Sequence, residues 1–279
     1  MDKNQVDFTN IASGSSLLAK SARREILKMT NTAKASHVAS SLSVVDVLAV
    51  LYSGIANITP NNYEDSNRDI VILSKGHAAS AIYSILALKG FFELNWLEQY
   101  CQDGAHLGGH VTSKNVPGIE LSTGSLGHGL PYGLGIALAR KRANEPGKVY
   151  VVMSDGECDE GTTWESALIA NHYNLDNLCV IIDRNRIQSL TFTEETIALE
   201  PFSKKWEAFN WNVKEVDGHN YLELATLINQ QTIKPKCIIA NTIKGKGVDF
   251  MENLNLWHYK HPDAEQLEVA LKQIDRTSS

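Results

Sequence analysis

Asp155 and Gly156 directly follow the apolar run "KVYVVMS", and Asn185 directly follows a second run, "NLCVIIDR". A carboxylate and an amide oxygen are hard ligands. They suit Mg²⁺ or Ca²⁺ rather than zinc, and Mg²⁺ takes few protein ligands, completing its shell with phosphate oxygens and water. Glycine at 156 lets backbone approach a phosphate closely. The same stretch, "SDGECDEGTTWE", also carries Glu157, Asp159 and Glu160. Spacing alone leaves a solvated acidic turn and half a metal site both open.

Three further groups of residues could join that chemistry. "STGSLGHGLPYGLGIALARK" leads through Gly, Ser and Thr into a helix expected near Leu126. The free N–H groups of such a helix can hold an anion. The stretch matches neither the dinucleotide nor the Walker pattern, and a loop that merely permits tight helix packing would look the same. Of nine histidines, His37, His77, His110 and His128 lie among small or glycine residues, as in "SKGHAAS" and "GGHVTS", and His258, between Trp257 and Tyr259, is grouped with them. Such placement suits acid/base or phosphate duties, although a single loop histidine is commonly a surface residue. The histidines are not read as a zinc set. Lys244 and Lys246 stand among glycines in "NTIKGKGVDF" and could meet phosphate or simply form a solvated basic turn.

The elements that would position these residues follow from periodicity. "LLAKSARREILKM", "VVDVLAVLYSGI" and "HAASAIYSILALKG" carry apolar residues at helical spacing. "DIVIL", "KVYVVMS", "NLCVIIDRN", "WNVKEVDG" and "PKCIIANT" are short β-type runs, with "TTWESALIANHYN" and "YLELATLINQQ" as helices between the later ones. Strands alternating with helices predict an α/β fold: a doubly wound, mostly parallel sheet with helices on both faces. Residues 1–279 form a single domain on this reading, with an N-terminal helical segment 1–60 and a charged helical tail 262–279. In such sheets ligands collect beyond the carboxyl ends of the strands, which is where Asp155 and Asn185 fall. Asp183 and Asn185 are both expected just past a strand end.

Composition narrows the function classes. The chain has 279 residues, 43% hydrophobic, with a formal net charge of -6. That balance argues against nucleic acid or an anionic membrane as the main partner. The polar start "MDKNQVDFTN" has no signal-like core, and no apolar run is expected to span a membrane. Cys101, Cys158, Cys179 and Cys237 lack C-x-x-C spacing and read as reduced thiols in a cytoplasmic protein.

Taken in order, "ASHVASSLSVVDVLAVLY", "LSKGHAASAIY", "GGHVTSKNVPGIELSTGSLGHGLPYGLGIALARK", "SDGECDEGTTWE" with "NLCVIIDRNRI", and "TIKGKGVDFMENLNLWH" resemble the N-terminal, diphosphate-binding half of transketolase. The resemblance implies the thiamine diphosphate-binding fold, with thiamine diphosphate and Mg²⁺ (or Ca²⁺) as cofactors. By position, it gives the metal to Asp155, Asn185 and the carbonyl of Ile187. It gives the diphosphate to Gly156 and His77, with Ser40, Lys75, Lys244 and His258 nearby. Gly124, Ser125 and Leu126 would support the cofactor. His37, His77, His110 and His258 would line the channel to the reactive carbon, hydrogen-bond sugar hydroxyls and move protons. Glu160 would lie at an interface between subunits. Glu157 and Asp159 receive no task and read as solvated turn residues.

A complete transketolase resembles two further domains beyond this one, and no counterpart is found here. The expectation is therefore an N-terminal subunit, inactive until a C-terminal transketolase subunit joins it, in a two-plus-two heterotetramer. It would then transfer a two-carbon ketol unit between ketose and aldose sugar phosphates. Departures from the family pattern include Ser154 for the first glycine of Gly-Asp-Gly, Val111 for a frequent proline, "QSLTFTEET" after Ile187, and Tyr259 with His261 in "WHYKHP". They fall near the channel and suggest a specialised sugar. The competing readings are another thiamine diphosphate enzyme (a deoxyxylulose phosphate synthase fragment or the α chain of a 2-oxo acid dehydrogenase), a non-catalytic cofactor-binding scaffold, and a Rossmann dehydrogenase.

Overall fold

Along β1 (Ile70–Leu73), β2 (Val149–Ser154) and β3 (Leu178–Arg184) every residue is buried, so these strands read as unbroken apolar runs rather than as an alternation. Side chains on a strand still alternate between faces, and two separate cores result. Val71, Leu73, Tyr150, Val152, Cys179, Ile181, Ile238 and Ala240 point into one. Ile70, Ile72, Val149, Val151, Met153, Val180, Ile182 and Ile239 point into the other. A sheet covered on both faces needs apolar residues at both parities.

The computed structural model describes residues 6–276; the parts of the helical segments expected at 1–5 and 277–279 lie outside the described residues. In chain order the elements are α1 (Phe8–Ala33), α2 (Val38–Val50), β1, α3 (Ala79–Leu88), α4 (Gly129–Ala143), β2, α5 (Gly161–His172), β3, the short turn α6 (Thr193–Thr196), α7 (Phe202–Ala208), β4 (Asn212–Asp217), α8 (Tyr221–Asn229), β5 (Lys236–Asn241) and α9 (Ala264–Arg276). The strands pair in parallel in the order β1-β2-β3-β5-β4. Residues of α1, α2, α3, α8 and α9 belong to the first core, and those of α4, α5 and α7 to the second.

This winding creates the crevice. After β1 the chain turns to the first face, after β2 and β3 to the second, and after β5 to the first again. Loops leaving β1 and β2 therefore part, as do those leaving β3 and β5, and the space between them lies at the carboxyl ends.

α2 is buried at all of its residues, Ser40, Ser41, Ser43 and Asp46 included. A helix apolar all round is a core helix, and its polar groups cost free energy unless paired. They are paired: Ser80 donates to Ser41 Oγ at 2.8 Å, Ser43 donates to Asp183 at 2.6 Å, and Arg23 holds Asp46.

Three expectations need correction. Val38–Ile55 is long and apolar enough to cross a bilayer by length and composition, contrary to the sequence reading; it is largely buried between α1, α3 and the sheet. α4 begins at Gly129, not near Leu126, because Gly127 takes φ +80° and breaks any earlier helix. Asp183 lies inside β3, paired with Ser154 of β2, and only Asn185 follows the strand.

Candidate active site

Four of the five strands send a residue to one place. His77 follows β1, Asp155 follows β2, Asn185 follows β3 and Lys244 follows β5. With His37, Ser40, His110, Gly124, Leu126, Gly156, Ile187 and His258 they line a cavity of about 210 Å³. Ser154, Gln188 and Ser189 complete the wall. The expected site residues His37, Ser40, His77, His110, Gly124, Leu126, Asp155, Gly156, Asn185, Ile187, Lys244 and His258 are thus brought together. Lys75, Ser125 and Glu160 do not line it.

The oxygen donors are held from behind. Asp155 Oδ1 accepts from Gly156 N at 2.8 Å, and Oδ2 accepts from Arg186 N at 2.7 Å. Burial pushes the Asp155 carboxyl up, while Arg184 at 3.2 Å pulls it down. Asn185 donates its amide to Ser43 Oγ and Asp183 Oδ2, both at 3.2 Å, and so keeps Oδ1 as an acceptor. Asp183 anchors this arrangement. It is fully buried and accepts from Ser43, Thr242, Asn185 and the ammonium of Lys75. Lys75 is therefore not a free phosphate contact. Its side chain is buried completely, spent on Asp183 and the Ser40 carbonyl.

The donor set fits a hard divalent cation bearing diphosphate. Asp155, Asn185 and Ile187, which carry carboxylate, amide and carbonyl oxygens, all line the cavity, and cationic side chains sit on two of these groups: Lys244 Nζ donates to the Ile187 carbonyl at 2.8 Å, and Arg184 pairs with Asp155. Three protein oxygens leave the remaining positions to phosphate oxygens and water. Among the described residues no group of three or more His, Cys, Asp and Glu is placed to hold a metal.

The histidines cluster. The His37 ring lies 5.4 Å from His77, 5.5 Å from His110 and 4.9 Å from His258. Burial, with help from neighbouring histidines and lysines, lowers His37 to about 4, His258 to about 3, and His77 well below its usual range. These three rings are neutral at neutral pH. Lys244 Nζ lies 3.0 Å from His258 Nδ1. When Lys244 is an ammonium, which can only donate, the ring proton of His258 sits on Nε2. Burial first, then Lys75, brings Lys244 down to about 7. His77 Nε2 lies 2.9 Å from Ser40 Oγ. His37 caps α2 in the left-handed region, φ 72°, with its N–H on the His258 carbonyl at 2.8 Å. His106 and His110 do stand at the H-x-x-x-H spacing found in zinc helices. They lie on a loop, however, and His106 stacks on Trp96 while His110 joins the cluster.

The acidic turn divides differently from the sequence reading. Glu157 is not solvated: its carboxylate is wholly buried, accepting from Ser74 Oγ, from Gly127 N at 3.0 Å and from Ser154 N at 3.2 Å. It ties the ends of β1 and β2 to the glycine turn that carries Gly124 and Leu126. Asp159 is also engaged, accepting from Gln188 Nε2 at 2.7 Å. Glu160 is exposed and rests against the Gly127 turn. No signal in the sequence separates Glu157 from its acidic neighbours.

Comparison with known proteins shows the family. The family model "Transketolase, thiamine diphosphate binding domain" matches residues 15–273. The chain is 40% identical over 259 residues to a subunit of the apulose-4-phosphate transketolase of Actinobacillus succinogenes, covering 92% of this chain and 94% of that one. It is 37% identical to the 6-deoxy-6-sulfo-D-fructose transketolase subunit SqwG of a Clostridium species, covering 99% of both. Among solved structures, transketolase from Campylobacter jejuni superposes with a TM-score of 0.85 at 27% identity, over 95% of this chain and 43% of that one. The four-histidine cavity, its oxygen donors and these likenesses together make the chain a member of the transketolase family, carrying its thiamine diphosphate binding domain.

Proposed function

We propose that this chain is the N-terminal subunit of a two-chain transketolase. It binds the diphosphate of thiamine diphosphate through Mg²⁺ (or Ca²⁺) and, with a C-terminal partner chain, moves a two-carbon ketol unit between sugar phosphates. One observation carries the reading: oxygen donors for a hard cation and four histidines share a single cavity. Asp155, Asn185 and the Ile187 carbonyl would hold the cation. Lys244 would give up the Ile187 carbonyl and meet a phosphate charge instead. Gly156 leaves the approach open, since a Cβ there would meet the Gln188 side chain at 3.0 Å.

When bound, thiamine diphosphate supplies the nucleophilic carbon and the electron sink. This chain supplies position and proton transfer. With its proton on Nε2, His258 is a hydrogen-bond donor toward a sugar hydroxyl. His37, His77 and His110, gathered in one cluster, can each donate and accept a proton at a hydroxyl.

A partner is supported by apolar exposure. Leu190, Phe192, Leu254, Leu256 and Tyr259 are exposed and lie within four residues in sequence of the lining residues Ser189 and His258, and a covering chain would exclude water there. Tyr132 of α4, Leu168 and Ile169 of α5, and Tyr173 just beyond α5 are exposed, and Glu160 caps the start of α5, which suits a two-plus-two assembly with Glu160 at an interface. The two named relatives act on unusual sugars, which supports a specialised substrate here. Four free cysteines, three of them buried, suit the cytoplasm.

Calorimetry with the purified chain, thiamine diphosphate and Mg²⁺ tests the reading. Binding should require the metal, and Asp155→Asn should weaken it by about tenfold or more. Equal binding to the variant, or in chelator, would remove the basis of the proposal.

A further inference from the structure

Lys244 reaches the cavity from a segment with no regular structure, so something must hold that segment still. Ile243 N donates to His219 Nε2 at 2.9 Å. That bond makes Nε2 an acceptor and leaves the proton on Nδ1, which lies 2.6 Å from Asp46 Oδ2. On the other side, the Lys246 carbonyl accepts from Arg23 Nε at 3.2 Å. Arg23 in turn grips both oxygens of Asp46, at 2.8 and 2.6 Å. Asp46 is 1% exposed, on core helix α2. One buried carboxylate therefore stands behind both flanks of Lys244, through His219 on one side and Arg23 on the other.

We propose that Asp46 and His219 are positioning residues of the transketolase site: with Arg23 they clamp residues 243–246 and so aim Lys244 into the cavity. The task given to Lys244 rests on the function proposed above; the clamp itself does not. Tyr221 supplies an internal control. Its hydroxyl donates to Asp46 Oδ1 at 2.7 Å, yet it makes no hydrogen bond to the 243–246 segment among those described.

Two measurements on the full chain decide this. The first is hydrogen exchange of the peptide spanning 242–248, without cofactor. His219→Ala should quicken exchange there by about tenfold or more while α3 exchanges as before, and Tyr221→Phe should leave the segment unchanged. Exchange at the native rate in His219→Ala, or equal quickening in Tyr221→Phe, would overturn the clamp.

The second is a double-mutant cycle on Mg²⁺-thiamine diphosphate affinity. His219→Ala should weaken binding by roughly tenfold, as loss of a supporting partner does. His219→Ala combined with Lys244→Met should bind no more weakly than Lys244→Met alone, since His219 acts through Lys244. His219→Gln, which keeps an acceptor and a donor, should recover part of the loss. Additive losses would overturn the positioning role. A native chain that bound no cofactor would overturn both the functional reading and the task of Lys244, and the exchange result would then stand for the clamp alone.

Discussion

His37, His77 and His258 show what a single residue's surroundings do to its chemistry. Burial disfavours the charged ring, and the nearby lysines add to the effect. His37 falls to about 4 and His258 to about 3 against an ordinary 6.5. The unfolded chain therefore binds more protons between those values and 6.5, and stability rises with pH through that window. Stability present at neutral pH is lost as pH falls toward 4. Urea unfolding of the chain at about pH 7 and about pH 5 should show this loss, and replacing His37 and His258 by Gln should flatten it. An equal slope in native and replaced chains would contradict neutral, buried rings. His37 and His77 were legible because small residues surround them, whereas His258, between Trp257 and Tyr259, was legible only through the resemblance. Glu157 was not legible. In "SDGECDEG" its type and spacing match those of its neighbours, and only the fold turns it inward onto Ser74, Gly127 and Ser154. Lys75 was placed near the diphosphate by the resemblance alone, and Asp183, buried within β3, claims its ammonium.

At the scale of elements, the strands declared themselves through apolar runs, and the helices through 3.6-residue spacing. What sequence could not give was the exact handover between them. α4 starts at Gly129 because Gly127 turns left-handed first. The stretch between α3 and α4 has little regular structure, and its geometry depends on close backbone approach. Gly76 is the clearest case: a Cβ there would lie 2.2 Å from the Thr123 carbonyl oxygen. Both atoms belong to backbone that carries the site, since His77 follows Gly76 and Gly124 follows Thr123. Gly76→Ala should cost roughly 1–3 kcal/mol, the usual cost of overpacking, and should weaken cofactor binding as well. Thermal unfolding measures the first effect and calorimetry the second. A variant as stable as the native chain would show that the contact relaxes freely.

For the molecule as a whole, the sheet order explains why chemistry gathers at one place. Loops after β1 and β5 leave toward one face, and loops after β2 and β3 toward the other, so the crevice opens between residues that are distant in sequence. The class of fold and most of the cavity wall could be read from motif order. The supporting layer could not, because Asp46, His219, Asp183 and Glu157 act through contacts between residues far apart in the chain. The cavity opens beside exposed apolar residues, and we assign it half of an active site. Ketol transfer is the most direct measure of that claim. The purified chain, saturated with thiamine diphosphate and Mg²⁺, should transfer no two-carbon unit between sugar phosphates alone. It should turn over, without releasing carbon dioxide, once the C-terminal partner chain is added. Clear turnover by this chain alone, or carbon dioxide release by the pair, would contradict the assignment.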